Sequence, residues 1–236
     1  MTESTKRQPN GIQQYVFYSA LCLAALAFAI VILPLSAAYF RRFFGSANPL
    51  LVILAASVIG TAALFFLQSR FSFVILKGPE TLRGIGLSAL LATGFAVAIV
   101  IADFVIRYPE DTNVPVPQAF LFYPAIGFVA EIAFHVLPLA ILLAALSPLA
   151  RRLGRERVIW LGILAVAILE PTFQVLFEGS ALTWRDAYTW VHVFAFAALQ
   201  LYVFKRFDFT SMYSFRLVYY AYWHILWGVL RLHVLF

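Results

Sequence analysis

Two glutamates and three histidines lie inside apolar stretches of this chain, where an ionisable side chain is costly unless it is paired or lines a wet cavity. They are Glu131, Glu170, His135, His192 and His224; a fourth histidine, His233, falls near the end of the last stretch as an interfacial residue. Glu131 and His135 are four residues apart and share a helix face, while Tyr220, His224 and Gly228 form a second stripe at the same spacing. A glutamate beside an imidazole in a low-dielectric site can act as a general base and polarise water for attack on a carbonyl. A second imidazole can then donate to the oxyanion. The same groups suit a divalent metal such as Zn, Mn or Fe, with Glu131, His135, Glu170 and His224 as ligands and His192 as an outlying one. The non-catalytic alternative is hydrogen-bonded glue between helices. Nucleophile chemistry has less support: Cys22 has no acid or histidine near it in its stretch, and there is no G-x-S-x-G turn.

These residues need elements to hold them. Long apolar runs punctuated by charge, Pro and Gly predict seven transmembrane helices over about 14–39, 49–69, 84–106, 119–147, 157–177, 187–204 and 213–235. The expected class is an all-α membrane protein forming one membrane domain over 1–236. It comprises a polar tail (1–12), three N-terminal spans (14–106) and a four-span core (119–235) that carries the site. At 1.5 Å per residue, Glu131 and Glu170 each fall roughly 10 Å from the outer face, His135 roughly 17 Å, His224 roughly 12–17 Å and His192 roughly 8 Å. Both glutamates and at least one histidine therefore share a layer. Pro138 and Pro171 loosen the backbone beside them. Asp103 lies four residues before Arg107, which predicts a local ion pair at the end of the third span.

The chain has 236 residues, 63% hydrophobic and 12% charged, with mean hydropathy +0.90. A soluble domain carries about 25% charged residues, so the composition excludes a soluble globular domain, a disordered chain and a nucleic-acid binder. The net charge of +6 is explained by topology. With the N-terminus in the cytoplasm, about 12 basic residues fall inside, Lys6, Arg7, Arg151 and Arg216 among them, against Arg41, Arg42, Arg107, Arg185 and Arg231 outside. That bias fits the plasma (inner) membrane of a prokaryote.

The stretch GFVAEIAFHVLPLAILLAAL resembles the first motif, E-E-x-x-x-R, of the CPBP intramembrane proteases, the CAAX-processing endopeptidases and their bacterial relatives. Glu131 matches the second glutamate, Ala130 stands for the first, Phe134 supplies the aromatic and His135 replaces the arginine. DFTSMYSFRLVYYAYWHILWGVL is similar to the closing H-x-x-x-N motif, with His224 matched and Gly228 in place of the asparagine. The middle motif, F-x-x-x-H, fits at Val166 to Glu170, with Tyr188 to His192 as the competing choice. The resemblance implies a CPBP-like helical core over 119–235 and a hydrolase cleaving a membrane-embedded peptide or lipidated protein. Glu131 would be the base and His224 the oxyanion donor or water ligand, with Glu170 and His135 completing the site. The alternatives are a non-catalytic scaffold or lipid- or peptide-binding protein on the same core, and a metal-dependent enzyme acting on a lipid.

Overall fold

Proline, glycine and short polar caps set the helix boundaries. The computed structural model describes residues 10–177 and 183–236; Lys6 and Arg7, with most of the polar tail, lie outside the described residues. Helix α1 (Gly11–Phe44) opens on a capping box in which Asn10 accepts from the Gln13 amide and the Gln13 side chain returns to the Asn10 amide. It carries Pro34 and bends at Ser36 (φ −129°, ψ 15°). Helices α2 (Pro49–Phe71) and α3 (Pro79–Ile106) both start on a proline, whose missing N–H costs nothing in a first turn. Then come α4 (Ala119–Ala130), α5 (Leu137–Leu153), α6 (Arg155–Ala167), α7 (Leu169–Phe177), α8 (Trp184–Arg206), α9 (Phe209–Tyr220) and α10 (Trp227–Val234). A π-helical turn, Glu131–Val136, joins α4 to α5, and a second, Ala221–Leu226, joins α9 to α10. No strand occurs among the described residues.

Among the described residues six helical runs are long and apolar enough to cross a bilayer: Gly11–Phe44, Pro49–Phe71, Pro79–Ile106, Ala119–Ala150, Arg155–Leu176 and Trp184–Arg206. Their outward faces carry exposed Leu23, Leu51, Phe65, Leu90 and Ile101, as lipid contact requires. The chain is an integral, multi-pass helical membrane protein. The seventh expected span falls on α9, its π turn and α10, which are interrupted by Arg216, His224 and Arg231 and stand outside those six.

Successive membrane-crossing runs alternate direction, because loops two connections apart meet. At one end the segment 72–78 is stitched to three neighbours: Ile75 N donates to Gln14 Oε1 (2.9 Å), Phe209 N to Val74 O (3.0 Å) and Lys77 Nζ to Arg206 O (3.1 Å). Buried Asp208 caps α9, accepting from Ser211 N (2.8 Å) and also from Lys77 N (3.0 Å) and the Thr81 hydroxyl. Helix α3 lies hard against α9, and a Cβ added at Gly84 would overlap the Ser211 side chain. At the opposite end, burial pushes the Tyr108 hydroxyl up to about 12, and it pairs with the Thr189 hydroxyl (2.9 Å).

The expected Asp103–Arg107 pair does not form. Arg107 caps α3 in the left-handed region (φ 52°), which turns its side chain out to an exposed position. Asp103 instead binds Arg231, which is itself buried rather than one of the outer-face charges. Arg231 Nε donates to Asp103 Oδ2 (2.7 Å) and Nη2 to Oδ1 (3.0 Å). Trp227 Nε1 (2.8 Å) and Tyr108 N (2.9 Å) complete the carboxylate's shell. Breaking a buried pair on one side leaves an uncompensated charge, so Arg231→Met should lower stability by about 3–5 kcal/mol. Thermal unfolding in detergent checks this, and Asp103→Leu combined with Arg231→Met should recover much of the loss.

Candidate functional site

The α4–α5 connection owes its shape to Pro138. Lacking an N–H, it cannot donate to the Phe134 carbonyl, and the backbone widens into a π turn in which Leu137 N bonds Ile132 O. Glu131 opens this turn, His135 lies within it, and both are fully buried. Pro171 acts likewise on the α6–α7 run. It has no N–H for the Ala167 carbonyl, the run breaks at Ile168, and Glu170 enters the first turn of α7 pointing inward.

Arg216 of α9 lies between these two carboxylates. Its Nε donates to Glu131 Oε1 (2.6 Å), Nη1 to Glu170 Oε1 (2.8 Å) and Nη2 to Glu170 Oε2 (2.7 Å), so Glu170 is gripped by both arms of the guanidinium. Gln200 of α8 buttresses both sides: its carbonyl accepts from Arg216 Nη2 (3.1 Å) and its amide donates to Glu131 Oε1. The Arg216 guanidinium also lies 5.7 Å from the Phe196 and Tyr220 ring centroids, and the Tyr220 hydroxyl is 3.1 Å from Nη1. His135 Nδ1 donates to Glu131 Oε2 (2.7 Å). Its Nε2 is buried without a hydrogen-bond partner, 3.5 Å from Glu170 Oε2.

Three expected site residues, Glu131, His135 and Glu170, therefore meet, and two others stand apart. His224 Nδ1 bonds Asn113 Oδ1 (2.7 Å) and its ring stacks on Tyr123 at 4.5 Å. His192 is buried between the rings of Phe95 (5.2 Å) and Tyr188 (5.8 Å), with Nε2 3.3 Å from the Tyr219 hydroxyl. The expected metal-ligand set, Glu131, His135, Glu170, His224 and His192, is thus spread over three places. Among the described residues no three His, Cys, Asp or Glu side chains group as a metal cage would. The physical reason lies at the centre, where the guanidinium of Arg216 takes the position between the two carboxylates that a cation would need.

Arg216 and Gln200 join the expected residues in this cluster without being expected there. Sorting charges by side of the membrane puts Arg216 on the inner face, yet it begins the stripe Arg216, Tyr220, His224, Gly228 at four-residue spacing, which is the signal that marks it. Gln200 carries no charge and gave no comparable sign. No family model, curated protein or solved structure matches the chain.

Removing the guanidinium leaves two buried carboxylates facing each other. Arg216→Met should cost about 3–5 kcal/mol, measured as a loss of folded protein on detergent size exclusion. Arg216→Lys should rescue little, because an ammonium cannot grip Glu170 with two parallel donors while still reaching Glu131. Arg216→Met in a Glu131→Gln, Glu170→Gln background should be far milder than alone.

Proposed function

We propose that the chain is an intramembrane hydrolase of the CPBP kind, cleaving a membrane-embedded peptide or lipidated protein, with His135 as the base and Glu131 as its orienting partner. One observation carries this reading: His135 Nε2 is buried and unpartnered while its Nδ1 is held by Glu131. A hydrogen bond to a carboxylate places the proton on Nδ1 and leaves Nε2 of the neutral ring as the lone-pair nitrogen, the arrangement a general base requires. Two carboxylates against one guanidinium leave one negative charge, so the cluster is balanced when it takes up one proton. The 3.5 Å gap between His135 Nε2 and Glu170 Oε2 is where a proton drawn from water is best held. Arg216 holds both glutamates in place during that transfer. In this reading His135 takes the base's role that the resemblance implied for Glu131, and His224, bonded to Asn113, takes no part in the hydrolytic step.

The orientation belongs to the same proposal. Arg70, Lys77, Arg83, Arg155, Lys205 and Arg206 lie at the end stitched by segment 72–78, which makes that end cytoplasmic and the segment 107–118 external. The run from α9 through α10, with buried Arg216 and Arg231, then serves as the seventh span in a prokaryotic inner membrane.

A second reading has its own observation. Every carboxylate oxygen of Glu131 and Glu170 already has a partner in Arg216, Gln200 or His135, which is what a non-catalytic brace between helices needs. The two readings separate on His135→Gln and Glu131→Gln, assayed against a tagged single-span peptide in proteoliposomes. Loss of a general base lowers hydrolysis about 100-fold or more, so catalysis predicts that drop in His135→Gln with the thermal midpoint of unfolding near the parent's. Undiminished cleavage in folded His135→Gln would refute the base assignment. A parent that cleaves nothing, with both variants destabilised, establishes the brace.

A further inference from the structure

The segment 107–118 is fastened at its start and again at Val114, with a hook at the neighbouring Asn113. Arg231 donates to the carbonyls of Tyr108 (2.6 Å) and Pro109 (2.8 Å), and Val114 N donates to the Tyr123 hydroxyl (2.8 Å). Between these points Asn113 reaches the last helix, where its Oδ1 accepts from His224 Nδ1 (2.7 Å). It fits there because residue 228 is glycine: an added Cβ would lie 3.1 Å from both Cβ and Nδ2 of Asn113. His224 in turn meets the edge of Tyr220 (4.9 Å), whose hydroxyl is 3.1 Å from Arg216 Nη1. Asn113, His224, Tyr220 and Arg216 thus form a line of contacts from the outer segment to the buried cluster.

This closed arrangement is poorly satisfied. Asn113 Nδ2 and Gln118 Oε1 are buried without hydrogen-bond partners, a desolvation cost that lifting the segment would relieve. The Arg42–Asp111 pair that also holds the segment is exposed, and solvent screening leaves it weak. The firm attachments are at Tyr108–Pro109 and at Val114, and the stretch between them has one directed bond, at Asn113, and a glycine-shaped seat.

We propose that the segment 107–118 is a lid, latched by Asn113 on His224 and Gly228, whose opening uncovers the polar line leading to Arg216 and His135. What the lid serves rests on the reading of that cluster as a reactive site; its movement does not.

The test uses the full chain in detergent with Cys22→Ser as background. In Asn113→Cys, Gly228→Cys the two Cβ atoms start 3.1 Å apart, close to the 3.5–4.5 Å of a disulfide, so oxidation should lock the lid with a small shift. Diethyl pyrocarbonate, which modifies accessible imidazoles, reports opening by mass spectrometry at His224. Reduction of the crosslinked protein should raise His224 labelling about tenfold, and Asn113→Ala should be labelled several-fold faster than the parent. Failure of the cysteines to crosslink, equal labelling of oxidised and reduced forms, or parent-like labelling of Asn113→Ala overturns the lid. Because this readout needs no turnover, it stands or falls separately from hydrolysis by the Glu131–His135 pair.

Discussion

The guanidinium of Arg216 makes the interior of this protein possible. Two carboxylates buried among apolar helices repel each other and have lost their water, and neither term is met by packing. One planar cation with donors on three nitrogens meets both at once, through Nε to Glu131 and both Nη atoms to Glu170. The helices that carry these groups are then fixed relative to one another: α4 at its π turn, α7 at its first turn, α9 in mid-course, and α8 through Gln200. An imidazole on the same π turn keeps one nitrogen unspent, and the chemistry proposed for the protein begins at that atom.

Backbone irregularity does the positioning. Pro138 and Pro171 each remove a helical hydrogen bond, and in both places the acidic residue of the cluster lies within a turn or two of the break. The second π turn, Ala221–Leu226, holds His224 beneath the outer segment. A regular helix in lipid has no spare donors or acceptors, whereas a widened or broken one offers them where protein surrounds it.

Much of this architecture was legible in the sequence, for identifiable reasons. Run length alone locates the membrane helices, because the hydrocarbon core fixes how many apolar residues a helix needs. The shared depth of Glu131 and Glu170, read by counting rise per residue, anticipates their meeting. Depth carries no lateral information, however, and His224 and His192 at comparable depths turn to other neighbours. Arg216 and Arg231 escaped because counting arginines by side of the membrane treats each as a surface charge, while these two are buried. Asp103 misled through a local spacing rule that a left-handed cap at Arg107 cancels, its true partner lying 128 residues further along the chain.

The two buried arginines of the α9–α10 run also bear on how that run is held. An arginine at the middle of an isolated helix costs about 2.5–3.5 kcal/mol on insertion scales, and this run carries Arg216, Arg231 and two histidines. It is therefore a poor inserter by itself. The partners that neutralise it, Asp103, Glu131 and Glu170, all lie earlier in the chain. The α9–α10 run is thus held by a receptor that earlier helices supply, and a chain lacking those acids would leave its two buried arginines uncompensated.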